Sequence, residues 1–338
     1  MTTTTNLDVT VVICTRNRAS QLQNALASAA QMRIPDGLRW ELVVVDNGSS
    51  DDTADVALSF ADRLPVRVVR EETAGLSNAR NRGAAEARGR YICWTDDDVL
   101  IDSGWLAAYA AAFERHPEAA VFGGRINPVL EAPTPAWFAR LANCWPLSTL
   151  LARRDFGEII PLDFEGGVAP WGANFAVRTA EQRRVRYEPS LGVSPNHRRV
   201  GEEAEVIYRI LASGKRGWWT PDAVVNHIIP VKRQTLRYVY DYFGASGETV
   251  AYMEQTWPGD HHQSANHRDL ARVRGGRARL YAKAMLNGAL FGACWIIGAK
   301  RRSLQFLVQA GFYAGAARLP VPTWAACAEP SGRQPART

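Results

Sequence analysis

The short apolar run Tyr91-Ile92-Cys93-Trp94-Thr95 stops on three consecutive aspartates, Asp96, Asp97 and Asp98. Aromatic and β-branched residues opened by a Gly89-Arg90 break read as a buried strand. A strand that ends in carboxylates sets like charges at one rim of a sheet, where they repel unless water or a cation holds them. Carboxylate oxygens are hard ligands suited to Mg2+ or Mn2+, and magnesium usually takes one or two of them together with substrate phosphates. The competing reading is a solvated turn that caps a helix beginning near Ser103.

Strand and helix patterns alternate through the first half with short connections, which implies an α/β fold with a parallel sheet covered on both faces. Strands are expected at Val9–Cys14, Glu41–Val45, Val66–Val69 and Tyr91–Thr95. Helices are expected at Ala19–Met32, Ser77–Arg88 and Ser103–Arg115, with Asp51 or Asp52 capping another. Ser77 is the expected N-cap of its helix and Gly89 its stop. Polar residues collect after three strands: Thr15-Arg16-Asn17, Asp46, and Asp96 to Asp98. Ligands of open α/β sheets bind outside the carboxyl ends of the strands, so the three clusters are expected to face one crevice. No Gly-x-Gly-x-x-Gly follows the first strand and no Gly-Lys-Ser/Thr occurs, which disfavours dinucleotide dehydrogenases and P-loop NTPases.

Beyond Glu131 the periodicity loosens as far as Pro170. A strand is expected over Trp171–Val177, a helix over about Glu202–Ser213 and a short strand over Val224–His227. From Thr235 the pattern is mostly helical. The expected division is a catalytic domain over 1–235, a helical region over 236–318 and a flexible tail over 319–338.

The ordered motifs resemble those of family 2 inverting glycosyltransferases of the GT-A fold, over roughly Val9 to Arg237. Val-Val-Ile-Cys-Thr-Arg-Asn-Arg looks like the family's opening strand and turn, and Val-Val-Asp-Asn-Gly-Ser-Ser its second strand. Gly75-Leu76-Ser77-Asn78-Ala79-Arg80-Asn81-Arg82-Gly83 resembles its Gly-x-Ser-x-Ala-Arg-Asn-x-Gly helix, and Thr95 to Asp98 its Asp-x-Asp element. Trp171-Gly172-Ala173-Asn174 matches the acceptor-side strand and Gly201-Glu202-Glu203 the Glu-Asp element.

The resemblance implies donor binding by Thr15, Arg16, Asn17, Asp46, Arg80, Asp96 and Asp97, and acceptor contacts at Trp171, Gly172 and Asn174. It implies a Mn2+ or Mg2+ cofactor on Asp98 and Asp96, with His227 as a further ligand or a core residue. Glu203 stands where the family places its base, one methylene longer than the usual Asp, with Glu202 as the competing assignment. A carboxylate at Asp46 suits the N–H of a uracil ring, and a turn cap is its other reading. The implied activity is metal-dependent, inverting transfer of a sugar from a nucleotide sugar, UDP-sugar favoured. The implied acceptor is a glycan or lipid-linked molecule in cell-surface polysaccharide or glycolipid assembly. A non-catalytic nucleotide-sugar-binding module that recruits partners at the membrane is the alternative.

The net charge of +6 is placed unevenly. Arg268 to Arg302 holds nine Lys/Arg against one acid, Asp269, so the remainder is slightly acidic. Ala284–Ala299 is apolar between Lys283 and Lys300-Arg301-Arg302, and is shorter than the roughly 20 residues of a spanning helix. With Leu304–Ala317 it reads as a helical pair lying on an anionic membrane surface, or as a hairpin packed on the catalytic domain. Nucleic acid is not an expected partner, because no recognition motif accompanies the charge. The polar N-terminus and five scattered cysteines lead us to expect a cytoplasmic protein with reduced thiols, at most peripheral on the inner face of the membrane.

Overall fold

The computed structural model describes residues 7–164, 166–256, 272–273 and 276–319. The chain divides into two units, Met1–Val239 and Tyr240–Thr338. The first is built on one eight-stranded mixed sheet in the order β3-β2-β1-β4-β7-β6-β8-β5. Its strands are β1 (Leu7–Thr15), β2 (Trp40–Asp46), β3 (Val66–Arg70), β4 (Gly89–Asp96), β5 (Val99–Ile101), β6 (Ala119–Leu130), β7 (Asn174–Arg178) and β8 (Arg216–Ile229). β1 to β4 run parallel, and β7 is antiparallel to both its neighbours, β4 and β6.

The apolar runs are continuous because both faces of the sheet are covered. Period-two alternation sends Val9, Val11 and Ile13 of β1, Leu42 and Val44 of β2, and Tyr91 and Cys93 of β4 to one core. That core also holds residues of α1 (Ala19–Ala29) and α4 (Trp105–Arg115). Val12, Val43, Val45, Ile92 and Trp94 point the other way, against α3 (Leu76–Glu86) and α8 (Glu202–Ala212). Shorter helices α2 (Thr53–Leu58), α5 (Ala136–Leu141), α6 (Leu147–Leu150) and α7 (Thr179–Arg184) complete this unit.

Two caps differ from expectation. Ser77 lies inside α3, where its hydroxyl donates to Leu191 O at 2.7 Å, and Gly75 takes the N-cap position. Gly89 opens β4 instead of stopping a helix, because a Cβ there would strike the backbone of Val9 and Thr10.

β5, β6 and most of β8 lie beyond the strand pattern of the sequence. β6 carries Gly123, Gly124 and Pro128, residues that ordinarily break a strand. Here the glycines are packing requirements: a Cβ on Gly123 would sit 2.7 Å from the Pro170 side chain and 2.9 Å from the Trp219 ring. β8 contains Pro221, which falls in a bulge where the β6 partner jumps from Thr220 to Val224. The bulge leaves the Ala223 carbonyl free of the ladder, and Asn174 Nδ2 donates to it at 2.8 Å.

The second unit holds most of α9 (Leu236–Thr256), together with α10 (Arg277–Ile296) and α11 (Lys300–Ala316). Within it α9 and α11 pack backbone to backbone. A Cβ on Gly247 would overlap the Phe312 carbonyl, and one on Gly315 would overlap that of Gly244. The tail expected from 319, apart from Leu319, and Arg268, Asp269 and Arg274 of the basic segment lie outside the described residues.

Candidate active site

Parallel strands β1, β2 and β4 end at the same edge, so Thr15 pairs with Asp46 and Cys14 with Asp96 in register. The three polar clusters therefore do share one crevice. The β1–α1 turn is held by Asn17, which has φ of 51° and accepts the Ser50 N–H on Oδ1 at 2.8 Å. Arg16 donates to Asn47 O at 2.9 Å. Asn47 accepts the Gly75 N–H at 2.8 Å and donates to Glu71 O and Thr73 O, joining the second cluster to the start of α3.

Asp46 is 1% exposed. Its Oδ1 accepts the Ser49 N–H at 2.9 Å, as a turn cap does, and its Oδ2 lies 3.3 Å from Arg70 Nη1. Arg70 was not among the expected site residues. It is half exposed and also grips Glu72, so it can swing away from Asp46 with little loss.

The three aspartates diverge. Asp96 Oδ1 is 3.6 Å from Arg80 Nη2. Asp97 turns to Arg18 at 2.6 Å, and burial pushes its carboxyl up to about 6 despite that cation. Asp98 receives Arg18 at 3.2 Å, Arg233 at 3.1 Å and His227 Nε2 at 3.4 Å. Burial alone would raise the Asp98 carboxyl. The hydrogen bond from His227 and the charges of Arg233 and Arg18 outweigh it and hold the group well below the usual carboxylate range. Neither Arg18 nor Arg233 was singled out from the sequence. A carboxylate block does demand counter-charge, but nothing in the residue order names which arginines supply it.

Among the described residues, no group of three or more His, Cys, Asp or Glu side chains converges as a metal cluster. The expected trio of Asp96, Asp98 and His227 is thus a closer pair, Asp98 with His227, while Asp96 faces Arg80. The pair suits a divalent cation in its chemistry. Leu151 O lies 3.4 Å from His227 Nδ1, and a carbonyl only accepts, so Nδ1 carries a proton. Arg233 Nη1 lies 3.4 Å from Nε2 as well. His227 Nε2 and Asp98 Oδ1, 3.4 Å apart, are an imidazole nitrogen and a carboxylate oxygen, the two donor types that divalent cations take.

On the other side of the crevice, Glu203 Oε1 accepts the Gly172 N–H at 3.2 Å, so α8 meets the expected acceptor-side segment directly. Arg80, 3% exposed, lies beneath: its Nη2 donates to Gly172 O at 3.3 Å and its Nη1 is 3.6 Å from Glu202. Burial and the neighbouring Glu203 push Glu202 up to about 7 against the pull of Arg80. Trp171 stacks over Arg154 at 4.7 Å.

Asn174, expected on the acceptor side, lies in the core. It is 0% exposed, its Oδ1 accepts from Trp105 Nε1 and the Tyr109 hydroxyl, and its Nδ2 donates to Arg125 O and Ala223 O. With every amide position used inside the core, it braces the acceptor-side segment and presents no atom to a ligand.

Residues 10–160 match the model of Glycosyl transferase family 2. Residues 10–160 thus carry a family 2 glycosyltransferase match, on a GT-A fold. Over 231 residues the transferase is 27% identical to a glucosyl-dolichyl phosphate glucuronosyltransferase of Haloferax volcanii, covering 65% of this chain and 69% of that one. Over 117 residues it is 37% identical to a PGL/p-HBAD biosynthesis glycosyltransferase of Mycobacterium bovis, covering 33% of this chain and 44% of that relative. Among solved structures it resembles the mannosyltransferase PcManGT from Pyrobaculum calidifontis in complex with GDP-Man and Mn2+, with TM-score 0.61, 18% identity, and 93% and 86% of the two chains covered. It also resembles S. aureus TarS 1-349 in complex with UDP-GlcNAc, with TM-score 0.55, 17% identity, and 92% and 90% covered.

Proposed function

We propose that this transferase is metal-dependent and inverting, and moves a sugar from a nucleotide sugar, UDP-sugar favoured, to a glycan or lipid-linked acceptor of cell-surface polysaccharide or glycolipid. The observation that carries the reading is the placing of Glu203 across one crevice from the Asp96 to Asp98 block, tied to Gly172 and grouped with Arg80. On this reading acceptor and donor chemistry meet at that crevice.

Asp46 accepts the base N–H once Arg70 swings aside, and Asp96 and Asp97 border the donor phosphates and ribose. Asp98 and His227 would hold a divalent cation, which when bound neutralises charge on the departing diphosphate. Glu203 takes the proton of the acceptor hydroxyl. The acceptor oxygen forms its bond to the anomeric carbon as the bond to the phosphate oxygen breaks, and the leaving diphosphate carries off the electron pair. The face of the sugar carbon inverts in that single step. Glu202 is less suited to be the base, because it is 4% exposed and engaged by Arg80. The printed ligands of the two structural neighbours, GDP-Man with Mn2+ and UDP-GlcNAc, support a nucleotide sugar and a divalent cation without choosing the base.

The test is a melting-temperature screen with UDP-, GDP-, dTDP- and CMP-sugars, with and without Mn2+. A ligand present at about 100 times its dissociation constant stabilises the fold by about 2.7 kcal/mol. For a chain of this size that is a shift of roughly 5–10 °C. We expect one nucleotide class to give a Mn2+-dependent shift that Asp98→Asn removes. A flat response to every nucleotide sugar with metal present would rule the reading out.

A further inference from the structure

We propose that α10 is an in-plane docking helix for an anionic phospholipid bilayer, its apolar face entering the bilayer while α11 contributes only the basic residues at its start. Tyr281, Met285, Leu286, Leu290, Ile296 and Ile297 are large apolar residues left exposed, with Met285 and Ile297 at 77% and Ile296 at 85%. At about 100° per residue they all fall within one half of the helix surface, and exposed alanines at 278, 282, 289 and 293 fill the spaces between them. The face is about 30 Å long. α11 behaves differently: Leu304, Leu307, Val308, Phe312 and Ala316 are buried, so it is the scaffold of α10.

Charge identifies the occupant. Residues 276–319 contain seven cations, Arg318 among them, and no aspartate or glutamate. Arg277 and Arg279 stand at one end of the apolar face and Lys300, Arg301 and Arg302 just beyond the other. Arg301 and Arg302 are exposed, and Lys300 Nζ lies 3.7 Å over the Trp295 ring. An apolar strip with cations at both ends matches acyl chains below a layer of phosphate headgroups. A second copy of the chain fits poorly, since a symmetric contact along α10 would oppose two acid-free, cation-rich surfaces. Nucleic acid fits poorly as well, since the middle of the face offers phosphate nothing but side chains it avoids. Among the described residues no helix is long and apolar enough to cross a membrane, so the contact lies on the surface.

The test is co-flotation of the full chain with vesicles of phosphatidylcholine alone and of phosphatidylcholine mixed with phosphatidylglycerol. We expect flotation with the anionic vesicles, weakened by salt, and little with the neutral ones. Arg301→Ala/Arg302→Ala should lower the partition coefficient by about fivefold per cation removed. Met285→Glu/Ile296→Glu should abolish flotation. These positions are exposed and remote from the crevice residues in sequence, and the nucleotide-sugar melting shift serves as the folding control, so loss of flotation with the shift intact is specific to α10. Equal flotation of wild type and the glutamate variant would overturn the proposal. So would a concentration-dependent dimer in sedimentation that the glutamate variant converts to monomer.

Discussion

Arg80 sits where a helix, a strand end and the acceptor-side segment meet. It is 3% exposed, lies 3.6 Å from both Asp96 and Glu202, and is surrounded by the rings of Phe175, Tyr187 and Trp94. The motif read it as a donor contact, and its depth makes it the counter-charge of buried Glu202 as well as a partner of the partly exposed Asp96. Arg80→Met strands Glu202, and removing one partner of a buried pair costs about 3–5 kcal/mol. A melting-temperature drop of roughly 6–20 °C should follow for a chain of this size. An unchanged melting temperature in calorimetry would show that Glu202 does not depend on it. At this scale the sequence was informative wherever a side chain ends a strand, as with Asp46 and Asp96. It was silent on Arg18, Arg70 and Arg233, because an exposed-looking arginine has no local pattern that records its distant partner. Nor does the sequence record the partners of Asn174, since an amide in an apolar strand does not show the four core groups it meets.

At the level of elements, the far end of the sheet is fastened by Glu41. Its carboxylate accepts from Thr10 Oγ1 and Arg67 Nε, both at 2.8 Å, and from the Arg88 N–H at 3.0 Å, tying β1, β2, β3 and the end of α3 together. Burial opposes its ionisation, yet the hydrogen bonds from Arg67, Thr10 and Arg88 outweigh burial and hold the group below its ordinary 4.5. A depressed folded value means stability that is present above pH 4.5 and lost as pH falls through the depressed folded value. Glu41→Gln should therefore cost about 2 kcal/mol near neutral pH. The gap to wild type should close as melts are repeated at progressively lower pH, and a gap that widens on acidification would refute the assignment. The glycine contacts of α9 and α11 make a second test of elements. Gly247→Ala places a methyl against the Phe312 carbonyl and should cost about 1–3 kcal/mol by overpacking, read as a lower denaturation midpoint. An unchanged midpoint would mean the helices slide apart freely. Strands β1 to β4 were legible because parallel strands buried on both faces are written as unbroken apolar runs. β6 and β8 were not, because glycines needed for close packing and a proline in a bulge read locally as interruptions.

Taken whole, the molecule separates its chemistry by charge. The carboxylates and their arginines gather at the strand ends of the first unit, whereas residues 276–319 of the second are wholly free of acids. The motif order made the GT-A fold readable before any coordinates, through its resemblance to family 2 glycosyltransferases. Donor and acceptor identity were not readable, because they depend on the shape of loops such as Gly192 to Val200. That loop is tied to α3 through Leu76 N–H to Val193 O at 2.9 Å, a contact with no sequence signal.

The central claim is that Glu203 takes the acceptor proton while the aspartate block holds the donor. The measurement that meets it most directly is the Mn2+-supported rate at which the donor sugar found in the melting screen is hydrolysed or transferred, in wild type and in Glu203→Gln. The expected result is a rate lower by about 10²- to 10⁴-fold with the nucleotide-sugar melting shift intact. A Glu203→Gln protein that turns over donor at the wild-type rate would contradict the account and move the base elsewhere.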